Sequence, residues 1–119
     1  MDIVEVLKAM ADETRIRILN VLYKETLCVC DLEEILKLSQ SNASRHLTKL
    51  KNARLIIGEK QVQWVYYRVD EKILARYLFI NELLVNELNK NPQFQKDVAR
   101  LKKYRECGGS CEKTVKISD

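Results

Sequence analysis

The chain has 119 residues, of which 46% are hydrophobic and 32% are charged. This composition fits one small helix-rich domain with a core and excludes a chain that is disordered throughout. The first residues lack the basic segment and apolar stretch of a secretory signal, and no apolar run is long enough to span a membrane. We therefore expect a cytoplasmic protein without a membrane partner.

The net charge of +4 is unevenly placed along the chain. Residues 39–68 contain six basic side chains and one acidic side chain, so this segment alone carries +5. A basic block inside a folded segment favours a polyanionic partner, although such blocks also occur on ordinary solvated surfaces.

Helical periodicity of the apolar residues predicts helices over residues 3–11 and 12–23, with Asp12 as the N-cap of the second. Asp31 and Glu34 resemble a capping box, which predicts a third helix that begins at Asp31 after an extended segment. A turn over residues 38–41 precedes a fourth helix, which has one apolar face and an opposite face that is polar and basic.

Two runs rich in β-branched and aromatic residues follow, at residues 55–57 and 62–69, and they predict a hairpin that turns around residues 60–61. A long amphipathic helix is expected over residues 70–89, and Pro92 opens a last helix that ends near residue 105. Glycines at 108 and 109 mark a loose end. We therefore divide the chain into a domain of residues 1–106 and a flexible, cysteine-containing tail of residues 107–119.

This order of elements predicts a mainly α protein with a two-stranded β-hairpin wing, a winged helix-turn-helix. In that fold the basic helix enters the major groove of double-stranded DNA and the hairpin follows the backbone. An ordinary surface helix is the alternative. Apolar faces on the first and long helices favour a two-fold homodimer, or else belong to the intramolecular core. The candidate DNA-binding residues are Gln40, Ser41, Asn42, Ser44, Arg45, His46, Thr48 and Lys49, with Lys60, Gln61, Gln63 and Tyr67 as wing candidates.

Four cysteines form a C-x-C pair, Cys28 and Cys30, and a C-x3-C pair, Cys107 and Cys111. In the cytosol, metal ligands or redox-active groups are the preferred interpretation of such thiols, ahead of structural disulfides. The helix N-terminus is expected to lower the pKa of the first pair, and thiolates without accompanying histidines favour a soft, thiophilic ligand. Alternatively, the first pair only fills space at a turn. The second pair permits a separate soft-ion site, a disulfide switch or completion of the first site, or it has no role.

Several motifs together resemble the ArsR-type family of dimeric winged-helix repressors, and its arsenic-responsive members in particular. They are ADETRIRIL at 11–19, LCVCDL at 27–32, LSQS at 38–41 with SRHL at 44–47, and WVYYR at 64–68. The resemblance implies that a homodimer occupies operator DNA and blocks transcription of a resistance operon. It also implies that As(III) or Sb(III), bound at Cys28 and Cys30, releases the dimer, with no enzymatic activity and no organic cofactor.

The chain departs from the family pattern at several positions. A third cysteine often found in arsenic-responsive members is replaced by Glu33, and a glycine common before the first wing strand is replaced by Arg54. The wing turn around residues 60–63 contains no glycine. The long helix has no histidine, which disfavours a zinc sensor that uses that helix.

The ligand and the rival functions stay open at this point. Trivalent arsenic prefers three sulfurs, so Cys107, Cys111 or a small cellular thiol would complete the C-x-C pair, whereas a methylated trivalent arsenical needs only two. A redox-responsive repressor or a sensor of another soft metal is the main alternative. An adaptor that does not bind DNA would need no basic helix face, and a thiol enzyme would need a C-x-x-C site or a catalytic base, which the sequence lacks.

Overall fold

The computed structural model describes residues 2–118. Its first two helices, α1 (Ile3–Met10) and α2 (Glu13–Lys24), confirm the predicted pair. Aspartates cap both helices, and the Asp12 carboxylate accepts a hydrogen bond from Arg15 N at 3.0 Å. This bond satisfies one of the backbone donors that the first turn of a helix leaves unpaired.

The third helix begins earlier than predicted. A short strand, β1 (Leu27–Cys28), leads directly into α3 (Val29–Leu36). Asp31 is the third residue of α3, and its carboxylate accepts a hydrogen bond from Cys28 N at 3.1 Å. The expected cap at Asp31 was therefore wrong, because Cys28 occupies the N-cap position and Asp31 is the residue that bonds back to it.

Helix α4 (Gln40–Asn52) forms a helix-turn-helix with α3, as predicted. The turn uses Lys37 in the left-handed conformation, and Ser39 caps α4 by accepting a hydrogen bond from Asn42 N at 3.2 Å. The apolar face of α4 is buried, and it consists of Ala43, Leu47 and Leu50.

The predicted hairpin is confirmed as β2 (Ile56–Gln61) and β3 (Trp64–Val69), but its turn lies at residues 62–63 and not at 60–61. Val62 supplies the left-handed conformation that closes this turn, with φ of 59°. The wing is also more than a hairpin, because β1 pairs antiparallel with β3 and places Cys28 opposite Tyr66. The sheet order is β1-β3-β2.

The continuous helix expected over residues 70–89 was wrong. Helix α5 (Glu71–Arg76) ends at Tyr77, whose backbone is extended, and α6 (Leu78–Glu82) then continues into a π-helical turn (Leu83–Glu87) and a 3-10 turn (Leu88–Lys90). Tyr77 packs against the core at this break, and the Arg76 guanidinium lies 5.3 Å from the centre of its ring.

The last helix, α7 (Pro92–Glu106), is capped by Asn91 and packs across α2 and α3. Arg100 of α7 donates hydrogen bonds to Glu34 O at 2.8 Å and Ile35 O at 2.7 Å, so it holds the C-terminal end of α3. Between residues 2 and 118, no helix combines the length and the apolar character that a membrane span requires.

Residues 107–118 lie against α3 and α7. Cys111 and Ile117 are buried, and Ile117 N donates to the Glu34 carboxylate at 3.0 Å. Ser118 accepts a hydrogen bond from Lys103 Nζ at 2.6 Å. Such packing was not expected of a flexible tail. The division of the chain after residue 106 coincides with the end of α7 but stays a prediction.

Candidate thiol site and nucleic-acid interface

The outer face of α4 presents a row of short polar and basic side chains to solvent. Arg45 Nη2 donates to Asn42 Oδ1 at 3.2 Å, which holds the guanidinium beside the first turn of the helix. Side chains of this length meet base edges and phosphates when a helix lies in the major groove. The exposed candidates are Gln40, Ser41, Asn42, Arg45, Thr48 and Lys49, and Ser44 is half-buried.

His46 differs from the other candidate DNA-binding residues of α4 because its side chain is buried. The ring nitrogens lie 3.2 Å from Arg15 Nη1 and 3.4 Å from Arg45 Nη2. Burial lowers the pKa of His46, and the positive charges of Arg45, Arg15 and Lys49 act in the same direction against the opposing carboxylate of Asp12. The ring therefore contacts Arg45 in this conformation and is not presented to solvent, so its predicted contact with DNA stays a prediction.

The wing presents Lys60, Gln61 and Gln63 to solvent at its tip. Tyr67 is half-buried, and its ring lies 2.9 Å from the position that a Cβ on Gly58 would take. A larger residue at position 58 would therefore displace the ring.

The two positions where the chain lacks an expected glycine both adopt the conformation that favours glycine. The backbone φ is 62° at Arg54 and 59° at Val62. The wing therefore keeps the shape that glycines would give, at the cost of backbone strain at these two residues.

Cys28 and Cys111 form a disulfide, with their Cα atoms 6.2 Å apart and a sequence separation of 83. This Cα separation lies within the usual range for a disulfide. Both residues are buried. The structure thus joins one cysteine of the first sequence pair to one of the second.

Asp31 lies beside both sulfurs. Its Oδ2 atom is 3.4 Å from Cys28 Sγ and 3.6 Å from Cys111 Sγ, and its Oδ1 atom accepts a hydrogen bond from the Tyr104 hydroxyl at 2.6 Å. Burial and the neighbouring Asp31 raise the pKa of Tyr104, so this hydroxyl keeps its proton. Two sulfurs and one fixed carboxylate oxygen therefore converge within 4.8 Å of one another.

The tail reaches this site because Gly109 has no side chain. A Cβ at that position would lie 2.5 Å from the Tyr104 ring, so the backbone passes directly over the ring. Tyr104 Oη also lies 3.2 Å from Ser110 O. These contacts bring Cys111 over the N-terminus of α3.

The other two cysteines lie outside this cluster. Cys30 is half-buried and lines a shallow cavity of about 300 Å³ with Glu33, Thr114 and Lys116. Burial raises the pKa of the Cys30 thiol, and the charges of Glu33 and Asp31 raise it further, so the lowering expected at a helix N-terminus was wrong for this residue. Cys107 is exposed at the C-terminal end of α7.

Sequence reasoning missed two members of the cluster. Asp31 was interpreted only as a helix cap, although its spacing of three from Cys28 places both on the first turn of α3. Tyr104 carries no local signal, because its partner Asp31 lies 73 residues away in sequence.

Comparison with known proteins identifies the family. Residues 12–57 match the family model described as bacterial regulatory protein, arsR family. Over 100 residues the chain is 38% identical to the arsenic resistance transcriptional regulator ArsR2 of Pseudomonas putida, covering 82% of this chain and 84% of the relative. The chain belongs to the ArsR family.

Proteins with solved structures share this fold. HlyU from Vibrio cholerae superposes with a TM-score of 0.60 at 35% identity, over 69% of this chain and 89% of HlyU. The arsenical resistance operon repressor of Escherichia coli is 42% identical over 73 residues, which are 60% of this chain and 62% of that protein. This ArsR-family chain is a winged helix-turn-helix transcriptional regulator and not an enzyme, because its relatives are regulators.

Proposed function

We propose that this ArsR-family protein is a homodimeric repressor that binds operator DNA and is released when trivalent arsenic or antimony binds its cysteine thiolates. Relatives named as an arsenic resistance regulator and an arsenical resistance operon repressor support the ligand class. The cytoplasmic location predicted from the sequence belongs to the same proposal, because operator DNA lies there.

The exposed apolar side chains support the dimer. Val4 and Leu7 on α1 are 48% and 46% exposed, and Leu78 and Phe79 on α6 are 75% and 45% exposed. Large apolar residues on two helices favour burial against a second copy of the chain. Such a dimer presents two α4 helices to the two halves of a palindromic operator.

The position of Cys28 is the observation that carries the release mechanism. Cys28 is the N-cap of α3 and also the strand partner of Tyr66 in the wing, and α3 packs directly on α4. A ligand that draws the Cys28 sulfur toward other thiols therefore acts on α4 and the wing together. If arsenic lowers the affinity of the protein for DNA by some factor, DNA must lower the affinity of the protein for arsenic by the same factor.

The ligand set in this proposal is Cys28, Cys30 and Cys111 in the reduced protein. Trivalent arsenic prefers three sulfurs, and Cys28 and Cys111 supply two that already converge. Cys30 faces the same tail, beside Thr114 and Lys116. Bringing its sulfur to the other two requires the first turn of α3 to distort, which supplies the strain that displaces α4.

Arsenite release tests this proposal. A fluorescent duplex selected from random sequences by the reduced protein is titrated, and arsenite is then added while anisotropy is followed. We expect release from the wild type, no release from Cys28→Ser, and normal release from the matched control Cys107→Ser, whose thiol is exposed and outside the cluster. Normal release from Cys28→Ser would contradict the proposal.

DNA binding has its own test on the same duplex. Arg45→Ala is expected to weaken binding and to lower the slope of log affinity against log salt by about 1, because one phosphate or base contact by a cation is lost. Lys96→Ala, an exposed charge on α7, is the matched control and should leave both unchanged. Equal binding by Arg45→Ala and the wild type would contradict the assignment of α4 to the DNA interface.

A redox-responsive repressor is a second candidate, and the disulfide between Cys28 and Cys111 favours it. In that function an oxidant removes two electrons and two protons from the thiols, and the new bond holds the tail on α3. Diamide should then release the duplex from the wild type and not from Cys111→Ser. Release by diamide with no response to arsenite would favour the redox-responsive repressor over the arsenic-responsive one.

A further inference from the structure

We propose that His46 is a positioning residue for DNA binding: its neutral ring holds Arg45 along α4, and a proton on the ring frees Arg45 to meet the duplex. This inference rests on the proposed binding of DNA through α4, and it needs neither arsenic nor the thiols. It makes the affinity of the protein for DNA rise as the pH falls. His46 is the single histidine of the chain, so no second imidazole produces the same response.

The two ring nitrogens of His46 each face an arginine. Nδ1 lies 3.2 Å from Arg15 Nη1, and Nε2 lies 3.4 Å from Arg45 Nη2. A guanidinium can only donate hydrogen bonds, and a neutral imidazole has one nitrogen that accepts and one that donates. The carboxylate of Asp12 lies 4.0 Å from Nδ1, which favours the proton on that nitrogen and leaves Nε2 to accept from Arg45. The neutral ring therefore holds Arg45.

A protonated ring is unfavourable in the same place. Both nitrogens of the imidazolium carry hydrogen, so neither can accept from an arginine. Burial and the positive charges of Arg45, Arg15 and Lys49 lower the pKa of His46, against the opposing effect of Asp12. A proton on the ring therefore breaks the bond to Arg45 and repels the guanidinium. The charged groups that face the ring are Asp12 and Arg15 from α2 and Arg45 and Lys49 from α4, and Glu5 and Lys8 from α1 line a cavity beside Arg15 and Lys49.

Arg45 is exposed, and its hydrogen bonds keep it on the surface of α4. Arg45 Nη2 donates to Asn42 Oδ1 at 3.2 Å as well as to His46 Nε2. An arginine that meets a phosphate or a base edge presents the same N–H groups to it, so it must first give up such bonds. Loss of the bond to His46 lowers this cost.

The sign of the pH effect follows from linkage. In the free protein the pKa of His46 is lowered, because burial and the neighbouring arginines oppose the charged ring. In the complex Arg45 has left the ring and phosphates lie nearby, so the pKa should be higher. Duplex binding then takes up a proton between these two pKa values, and the affinity rises as the pH falls through that interval, by at most about tenfold per pH unit. Above both values the ring is neutral in both states and the affinity stays constant.

Anisotropy titrations of the fluorescent duplex from about pH 7.5 to about pH 5.5, at constant ionic strength, test this role on the full-length reduced protein. The wild type should bind more tightly as the pH falls, with a slope of log affinity against pH that approaches about −1. The slope should be near zero in His46→Gln, whose amide does not titrate, and in Arg45→Ala, which has no guanidinium to free. Lys96→Ala, an exposed charge on α7, is the matched control and should keep the wild-type slope.

Nuclear magnetic resonance of the single imidazole tests the same role without any variant. In the free wild type the ring should titrate below about pH 6.5, and in the complex with the duplex it should titrate at a higher pH. A rise of about 1 in this pKa corresponds to about a tenfold gain in affinity at low pH. The nitrogen shifts of the neutral ring should show the proton on Nδ1 and not on Nε2.

Three results would overturn the role of His46. A slope retained in Arg45→Ala would mean that the ring contacts the duplex itself and does not act through Arg45. A flat profile in wild-type protein that binds the duplex, or an equal His46 pKa in the free and bound states, would remove the coupling. Wild-type protein that binds the duplex at no pH would refute the proposed function itself, so the two failures are distinguishable.

Discussion

Removal of one oxygen atom at Tyr104 should destabilise the fold without disturbing its packing. Tyr104 is fully buried, and its hydroxyl donates a hydrogen bond of 2.6 Å to the buried carboxylate of Asp31. Tyr104→Phe keeps the ring that lies under Gly109 and deletes this bond together with the longer contact of 3.2 Å to Ser110 O. A hydrogen bond to a charged group contributes about 1.5–3 kcal/mol, and a buried carboxylate left with one donor fewer is costly. We expect a loss of about 2 kcal/mol in the free energy of unfolding.

Urea unfolding of the reduced protein, followed by far-ultraviolet circular dichroism, measures this loss. For a slope of about 1.5 kcal/mol per molar urea, a loss of about 2 kcal/mol lowers the midpoint by about 1.3 M. Tyr23→Phe is the matched control, because the Tyr23 hydroxyl makes an exposed bond of 3.3 Å to Asn81. It should cost about 0.5 kcal/mol or less. Equal midpoints for the two variants would refute the role given to Tyr104.

Three further predictions concern other parts of the fold. Val62→Gly should raise the free energy of unfolding by about 1 kcal/mol in the same urea assay. Glycine adopts the φ of 59° without the strain that a β-branched residue has there, and the Val62 side chain is 86% exposed, so its removal costs little packing. A lower midpoint would contradict this. Because burial lowers the pKa of His46, the unfolded chain binds a proton there more readily, and stability should fall as the pH drops below about 6.5. His46→Gln should show a shallower fall across that range, and an identical profile would disprove the linkage. Gly109→Ala should expose Cys111 of the reduced protein to alkylation, because a Cβ would meet the Tyr104 ring, whereas Ser110→Ala should leave the labelling rate unchanged; equal rates in both variants would count against the tail packing.

Local patterns were sufficient to predict the helix-turn-helix and the wing. The capping residues Asp12 and Ser39 and the apolar face of α4 act within a few residues of the chain, so their geometry follows from spacing alone. The basic surface could also be predicted from the sequence, because Ser41, Arg45 and Lys49 recur on one side of a helix.

Elements that depend on distant contacts were not predictable in this way. The break at Tyr77 contains no glycine or proline, and Ile73 and Ile80 on either side of it are seven residues apart, as they would be on a straight helix. The π-helical turn was likewise not predicted, because the apolar spacing was interpreted with the 3.6-residue period of an α-helix.

The thiol site depends both on a local sequence motif and on contacts between distant residues. Cys28 was identified from its C-x-C motif, but Cys111 was only one of several candidates to complete the site, because it lies 83 positions away and reaches α3 only through the packing of Gly109 on Tyr104. Neighbouring thiols in sequence were therefore a poor guide to neighbouring thiols in space. Cys30, two residues from Cys28, faces a different cavity.

The coupling between the α3 thiols and DNA is tested most directly by measuring it from both directions. Trp64, the single tryptophan, lies in β3 and lines a cavity with Cys28, so its fluorescence can follow arsenite binding to the reduced protein with and without saturating duplex. The proposed mechanism predicts that the duplex weakens arsenite binding by the same factor by which arsenite weakens duplex binding. An arsenite affinity that the duplex leaves unchanged would contradict it.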